Sequence, residues 1–203
     1  MLLEKSTSGD VLPGAQQQSR SGMLRRSAAR HRHRPAIACG DTVWSYAEFD
    51  QLVDRLAAGL KKAGVEPGQR VAMMARNSHA FIAIRFAVAR ADAVLVPINF
   101  MLNVEDVRYI LDHSGAALLF VDTTTVDIAT QAADGIVDTI FGIAGESDAA
   151  PEGLPSWDDL PCDDGRQLET RGGSDLLQII YTSGTESRPK GAMLSHDAVL
   201  WEY

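Results

Sequence analysis

The sequence predicts an α/β fold in which a parallel sheet is covered by helices, and three features of its central part indicate this. Three short segments, RVAMMA, AVLVPIN and AALLFVD, are apolar without alternation (70–75, 93–99 and 116–122). Segments with helical periodicity separate them. Strands that are apolar on both faces and alternate with helices are typical of parallel sheets buried on both sides. The 203 residues are 45% hydrophobic, which is enough to form a core.

The first sixty residues predict a tail, a helix and a β-hairpin. Residues 1–21 are rich in Ser, Gln and Gly without periodicity, and we expect them to form a disordered tail before an ordered region at 22–203. The pattern MLRRSAARHRHRP predicts a short helix from Gly22 that ends before Pro35, with an apolar side made of Met23, Leu24, Ala28 and His31. The segment AIACGDTVWSY then predicts a hairpin around a Gly40-Asp41 turn.

A second helix should begin after Ser45. Ser45 and Glu48 have the spacing of a capping box, and Gly64 ends the helical pattern that follows. Its apolar positions are Phe49, Leu52, Val53, Leu56 and Leu60.

The later elements continue the α/β order. The patterns predict helices at 79–90, 105–113 and 126–133, a strand at 137–140, and a long surface connection at 142–173 with one helical turn at 156–160. A strand at 176–181, a loop, the short AML segment and a helix from Ser195 complete the chain.

Charge and composition exclude several classes of function. The net charge of −8 has the wrong sign for a general nucleic-acid binder, and the apolar runs fall short of the ~20 residues that span a bilayer. The first residues have no apolar core of a secretory signal, so we expect a cytoplasmic protein. Cys39 and Cys162 lack partners at metal-ligand spacing, and no metal site is predicted. The composition does not indicate which oligomeric state the protein adopts.

The segment YTSGTESRPKGAMLSH, from Tyr181 to His196, carries the chemistry. A loop of glycines and hydroxyl residues directly after a buried strand can turn backbone N–H groups toward an anion, and we expect Gly184 and Gly191 to adopt conformations that other residues resist. Pro189 restricts the chain next to Lys190, one of only four lysines against fifteen arginines. This combination suits a polyphosphate. The order is not that of a Walker A loop, and no GxGxxG occurs.

The same segment resembles the phosphate-binding signature of the adenylate-forming superfamily, which includes acyl- and aryl-CoA synthetases. Eight positions of its YTSGTxxxPKG core are matched, and they are Tyr181, Thr182, Ser183, Gly184, Thr185, Pro189, Lys190 and Gly191. The segments TVWSYAEFDQLVDRLAAGLKKAGVEPGQRVA and VLVPINFMLNVEDVRYIL are similar to N-terminal parts of acyl-CoA synthetases. The likeness spans about 22–203.

The resemblance implies an ATP-dependent ligase. In this family a carboxylate attacks the α-phosphate of ATP in the presence of Mg²⁺, and a thiol, usually that of coenzyme A, then takes the acyl group. It implies that Thr182, Ser183, Gly184, Thr185, Lys190 and Gly191 hold the ATP phosphates, with Lys190 as the catalytic cation. A fatty acid is the expected substrate, with an aromatic or other small carboxylate as the alternative. Small molecules are the expected partners, without nucleic acid.

The sequence departs from the family pattern in two places. Glu186-Ser187 stands where a Thr-Gly pair is usual, which adds a negative charge, and we expect Glu186 to point to solvent or toward magnesium. Asp92 replaces a common glycine before the VLVPIN strand, where left-handed geometry is expected.

The chain ends at Tyr203 inside a helical pattern that lacks a stop signal. Members of the family run to more than twice this length, so the fold is expected to be the N-terminal subdomain of the large domain and incomplete at its C-terminus. Two functions stay open: the N-terminal part of a ligase that activates an acid, or a truncated, non-catalytic fragment that binds nucleotide weakly or associates with a partner. Alone, the 203 residues are expected to be inactive.

Overall fold

The computed structural model describes residues 19–145, 149–163, 172–182 and 188–200. Within these ranges, eight strands form a separate hairpin, β1–β2, and a six-stranded sheet in the order β6-β5-β3-β4-β7-β8. The strands are β1 Pro35–Cys39, β2 Thr42–Ser45, β3 Arg70–Met74, β4 Val94–Ile98, β5 Ala116–Val121, β6 Ile140–Gly142, β7 Leu176–Thr182 and β8 Lys190–Ser195. The α/β prediction is confirmed.

Helices and one 3₁₀ turn lie before, between and after these strands. They are α1 Arg20–Arg30, α2 Tyr46–Lys62, α3 His79–Arg90, α4 Val104–Ser114, α5 Val126–Ala133, the 3₁₀ turn Trp157–Asp159 and α6 His196–Leu200. The capping box of α2 is formed, because Ser45 Oγ accepts from the Glu48 amide and the Glu48 carboxylate accepts from the Ser45 amide. Gly115 ends α4 in the left-handed conformation. Asp92 adopts it too, with φ 59°, as its place in the sequence predicts.

Successive residues of the central strands enter two different cores. Val71 and Met73 face α2 and α3 on one side of the sheet, whereas Ala72 and Met74 face α4 and α5 on the other. All four are fully buried. This explains why RVAMMA is apolar without alternation: each face of β3 is covered by helices.

The connections fix which edge of the sheet is open to ligands. Strands β3 to β7 of the sheet all pair in parallel, so their carboxyl ends meet at one edge, which we call the carboxyl edge. Helix α3 leads from β3 to its neighbour β4 on one side, and α4 and α5 lead in the opposite direction on the other face, as right-handed crossovers require. Open α/β sheets bind ligands at this edge.

Strand β8 differs from the expected architecture. It pairs with β7 in antiparallel fashion, so the sheet ends in a hairpin instead of a further parallel strand. The sequence analysis expects only AML and a helix here, but the strand begins earlier, at Lys190. Residues 190–193 of this strand are exposed, and the exposed fraction of Met193 is 74%.

Smaller differences lie at element boundaries. Helix α1 begins at Arg20, two residues before the predicted start, and the earlier residues of the predicted tail lie outside the described part. Leu24 and Ala28 are buried as expected, but Met23 and His31 are exposed, so the apolar side is narrower than predicted. Strand β6 is Ile140–Gly142 instead of 137–140, because Leu119 and Val121 pair with its later residues.

A buried ion-pair network joins the first three helices. The Arg90 side chain on α3 is fully buried and donates to the Asp50 carboxylate and carbonyl of α2 and to Ser21 of α1. Asp54 on α2 bridges Arg90 at 3.0 Å and Arg25 at 2.7 Å. Because every charge in this network has a partner, the guanidinium can stay inside the protein.

Within the described ranges, no helix combines the length and the apolar character that crossing a membrane requires.

Candidate phosphate-binding hairpin

The predicted site residues that the structure describes lie at the open end of the β7–β8 hairpin. Thr182, the last residue of β7, pairs with Lys190, the first of β8, and Tyr181 pairs with Gly191. Because β7 runs parallel to β4, this end of the hairpin belongs to the carboxyl edge. Ser183, Gly184 and Thr185 lie outside the described residues.

Lys190 is exposed, as is Thr182 opposite it. An ammonium at the start of β8 and a hydroxyl at the end of β7 are therefore both accessible to a ligand from solvent. Phosphate oxygens accept hydrogen bonds from ammonium and hydroxyl groups such as these.

Gly191 is needed for a different reason from the one the sequence suggests. It lies in an extended strand, outside the glycines with positive φ. An added Cβ would lie 2.8 Å from Cγ2 of Ile179 and 3.2 Å from Cζ of Tyr181. Gly191 thus leaves room for the Tyr181 ring, which packs across the hairpin, and backbone freedom is not what the position requires.

Two side chains of the hairpin contact helix α4. The Tyr181 hydroxyl is hydrogen-bonded to Nδ1 of His113 at 2.7 Å. The Arg188 guanidinium lies over the Tyr109 ring, 5.1 Å from its centroid. Burial, and then the neighbouring Tyr109, raise the pKa of the Tyr181 hydroxyl, so it stays protonated near neutral pH. Sequence analysis missed both contacts.

A groove of about 680 Å³ runs beside these contacts, between α4 and the residues after α5. Its charged lining consists of two arginines, Arg108 and Arg188, and three carboxylate residues of α4, Glu105, Asp106 and Asp112. The negative side chains favour the guanidinium groups electrostatically. The groove is therefore part of the contact between the hairpin and α4.

Asp122 organises another part of the carboxyl edge, directly after β5. Its carboxylate accepts from the Arg76 amide at 2.7 Å and from the amides and hydroxyls of Thr124 and Thr125. Burial raises the pKa of this carboxyl, but the hydrogen bonds together outweigh burial and hold its pKa below the ordinary value. The sequence Asp-Thr-Thr-Thr, which favours such a turn, is the signal that could have revealed it.

From their places in the sequence, His79, His113 and His196 are expected to be helix-surface or capping residues and not catalytic ones, and the structure shows that they differ in burial. His113 is exposed on α4, whereas His196 is only 3% exposed and its Nδ1 accepts from the Arg20 amide. Burial lowers the pKa of His196. His196 therefore does not lie on the surface; its buried ring accepts a hydrogen bond from the first residue of α1 and so joins α6 to α1.

The tryptophans are expected to be packing residues. Trp157 is buried, and Trp44 stacks on Phe49. The rings of Trp44 and Trp157 each contact the His79 ring edge-on. Burial lowers the pKa of His79. Trp201 lies outside the described residues.

Within the described ranges, no three His, Cys, Asp or Glu side chains converge to hold a metal ion. None of these residues is assigned to Mg²⁺.

Comparison with known proteins finds a matching family model and several curated relatives. A family model described as AMP-binding enzyme matches residues 24–203. A feruloyl-CoA synthase of Amycolatopsis is 39% identical over 176 residues, which cover 87% of this chain and 33% of the relative. A fatty acid–[acyl-carrier-protein] ligase of Streptomyces coeruleorubidus is 33% identical and covers 80% of this chain and 30% of its own length. The chain thus spans about a third of these curated relatives.

The fold matches as well. A crystal structure of a protein described as a long-chain-fatty-acid CoA ligase from Rhodopseudomonas palustris superposes with a TM-score of 0.82 at 26% identity. The match covers 92% of this chain and 47% of that one. The described architecture is therefore one that a larger protein uses for its N-terminal part.

Proposed function

The chain belongs to the AMP-binding enzyme family, and on that premise we propose that it is the N-terminal part of a ligase that activates a carboxylic acid with ATP and transfers the acyl group to the thiol of coenzyme A. The observation that carries the proposal is the exposed Lys190 at the carboxyl edge, opposite Thr182, in a segment that matches the phosphate-binding signature.

Two steps make up the reaction. A carboxylate oxygen attacks the α-phosphorus of ATP, the bond to the β-phosphate oxygen breaks, and pyrophosphate leaves. The thiol sulfur then attacks the acyl carbon, AMP leaves, and the thiol proton passes to solvent or a base. Mg²⁺, when bound with the nucleotide, offsets phosphate charge.

The residues of this chain would act in the first step. In this proposal the Lys190 ammonium neutralises the charge that grows on the leaving pyrophosphate, and the Thr182 hydroxyl donates to the same oxygens. Support comes from the exposure of both side chains at the carboxyl edge. Ser183, Gly184 and Thr185 are proposed as further donors on the grounds of the motif, with Gly191 as the residue that lets the hairpin close around Tyr181. Their contribution is electrostatic and positional.

The proposed substrate is a fatty acid, which the fatty acid–[acyl-carrier-protein] ligase supports. An aromatic acid is a second candidate, favoured by 39% identity to a feruloyl-CoA synthase. The test is an assay of the protein at its full natural length, with ATP, Mg²⁺, coenzyme A and either a series of fatty acids or ferulate. We expect thioester formation with one class of acid. Absence of both thioester and ATP–pyrophosphate exchange would refute the proposal and favour the non-catalytic alternative.

A further inference from the structure

The hairpin that carries Lys190 rests on helix α4 at two points, and the first is Tyr181. Its hydroxyl and Nδ1 of His113 are 2.7 Å apart, and the two rings meet edge to face, 5.8 Å between centroids at 86°. Tyr181 directly precedes Thr182 in β7. This contact ties the end of β7 to the last turn of α4.

The second point lies on the other arm. Arg188, two residues before Lys190, places its guanidinium 5.1 Å from the centre of the Tyr109 ring. Tyr109 and His113 are four residues apart on α4, so they share a face, and their rings are 5.2 Å apart. Both arms of the hairpin therefore meet neighbouring side chains of one helix.

The helix can serve as a fixed base. Three of its apolar residues, Val107, Ile110 and Leu111, are fully buried in the core beneath the sheet. On its other side, Arg108 donates to the carbonyls of Ala132 and Asp134 at the end of α5. Groups held against α4 are thus held against the central sheet.

The Tyr181 ring has little room to move. Gly191 lies opposite it in β8, and even one methyl group there would come within 3.2 Å of the ring. The ring is therefore confined between β8 and His113. A displaced ring would change the spacing between β7 and β8, the two strands that pair at Thr182 and Lys190.

We propose that His113 and Tyr109 are positioning residues for the reaction: through Tyr181 and Arg188 they hold the β7–β8 hairpin so that Lys190 and Thr182 meet the phosphates of ATP in one arrangement. The inference rests on the proposed function. Side chains that are already ordered lose less entropy when a ligand binds, so the effect is on nucleotide affinity.

The experiment measures ATP–pyrophosphate exchange by the protein at its full natural length, with the acid that supports exchange. His113→Ala is expected to raise KM for ATP roughly 2- to 10-fold, the range for one lost hydrogen bond. Tyr181→Phe removes the other partner and should raise KM by a similar factor. The double variant should have a KM no higher than that of either single variant, because both substitutions remove the same hydrogen bond.

Three readouts separate positioning from a general loss of structure. His113→Asn keeps an amide that can donate or accept near the place of Nδ1, and we expect it to restore most of the affinity. The unfolding midpoint of His113→Ala should fall only slightly, by what one hydrogen bond of an exposed side chain contributes. The matched control is His33→Ala, an exposed histidine in the turn after α1, which should leave KM unchanged.

The outcomes distinguish this inference from the proposed function. A wild-type protein that supports no exchange overturns both. An active wild type whose His113→Ala and Tyr181→Phe variants keep the same KM overturns the inference alone, as do additive effects in the double variant.

Discussion

At the scale of single residues, Gly191 shows how a motif position can be required by its neighbours. Its backbone is extended, so any residue could adopt its conformation, but Ile179 and Tyr181 occupy the space where a Cβ would stand. From the sequence, the glycine after Lys190 is expected to serve an unusual backbone conformation, and that expectation is wrong. Only the pairing of β7 with β8 reveals that the reason is space.

Gly191→Ala should therefore shift the Tyr181 ring and lower the free energy of unfolding by about 1–3 kcal/mol, the usual cost of overpacking. The measurement is urea denaturation followed by far-UV circular dichroism. Ala192→Ser, which also adds one heavy atom at the adjacent exposed position of β8, is the control and should change little. Equal stability of Gly191→Ala and wild type would show that the strand relaxes freely.

At the scale of elements, the turn after β5 has a pH dependence of its own. Hydrogen bonds from Arg76, Thr124 and Thr125 hold the pKa of Asp122 below its ordinary value of about 3.9 against the effect of burial. A group whose pKa is lower in the folded state stabilises the protein above its unfolded pKa, and this stabilisation is lost as pH falls through the folded pKa.

Asp122→Asn should lower the free energy of unfolding by about 1–3 kcal/mol at pH 7, because buried amide donors lose a charged acceptor. The difference from wild type should begin to narrow below about pH 4, where the carboxyl of the unfolded chain becomes protonated, and should vanish as pH falls through the lower pKa of the folded state. Urea denaturation across this pH range measures it, with the exposed Asp138→Asn as control. A difference that is constant with pH would contradict the role of the ionised carboxylate.

The elements themselves are largely readable from local patterns. The ranges of α3 and α5 are those that periodicity predicts, and the capping box of α2 is formed as its spacing requires. These features depend on neighbours within four residues. Strand β8 was missed because its partner, β7, is set by the whole sheet, and a short segment such as KGAMLS carries weak strand periodicity.

At the scale of the whole molecule, the sequence predicts that the sheet has two covered faces, and the structure shows the two cores. It does not reveal contacts such as that between His113 and Tyr181, which are 68 residues apart. Such a contact depends on the angle at which the hairpin leaves the sheet. The residues that we propose for phosphate binding can be named from the sequence because their order in the chain is itself the signal. The side chains of α4 that contact the hairpin have no such local pattern.

The central claim is that Lys190 provides the positive charge for the phosphates of ATP. The most direct measurement is ATP–pyrophosphate exchange by the protein at its full natural length with and without Lys190→Ala, using Lys62→Ala as the matched exposed control. Loss of one donor to a developing negative charge should lower the exchange rate roughly 10²–10³-fold, while the control keeps the wild-type rate. An unchanged rate in Lys190→Ala would contradict the account.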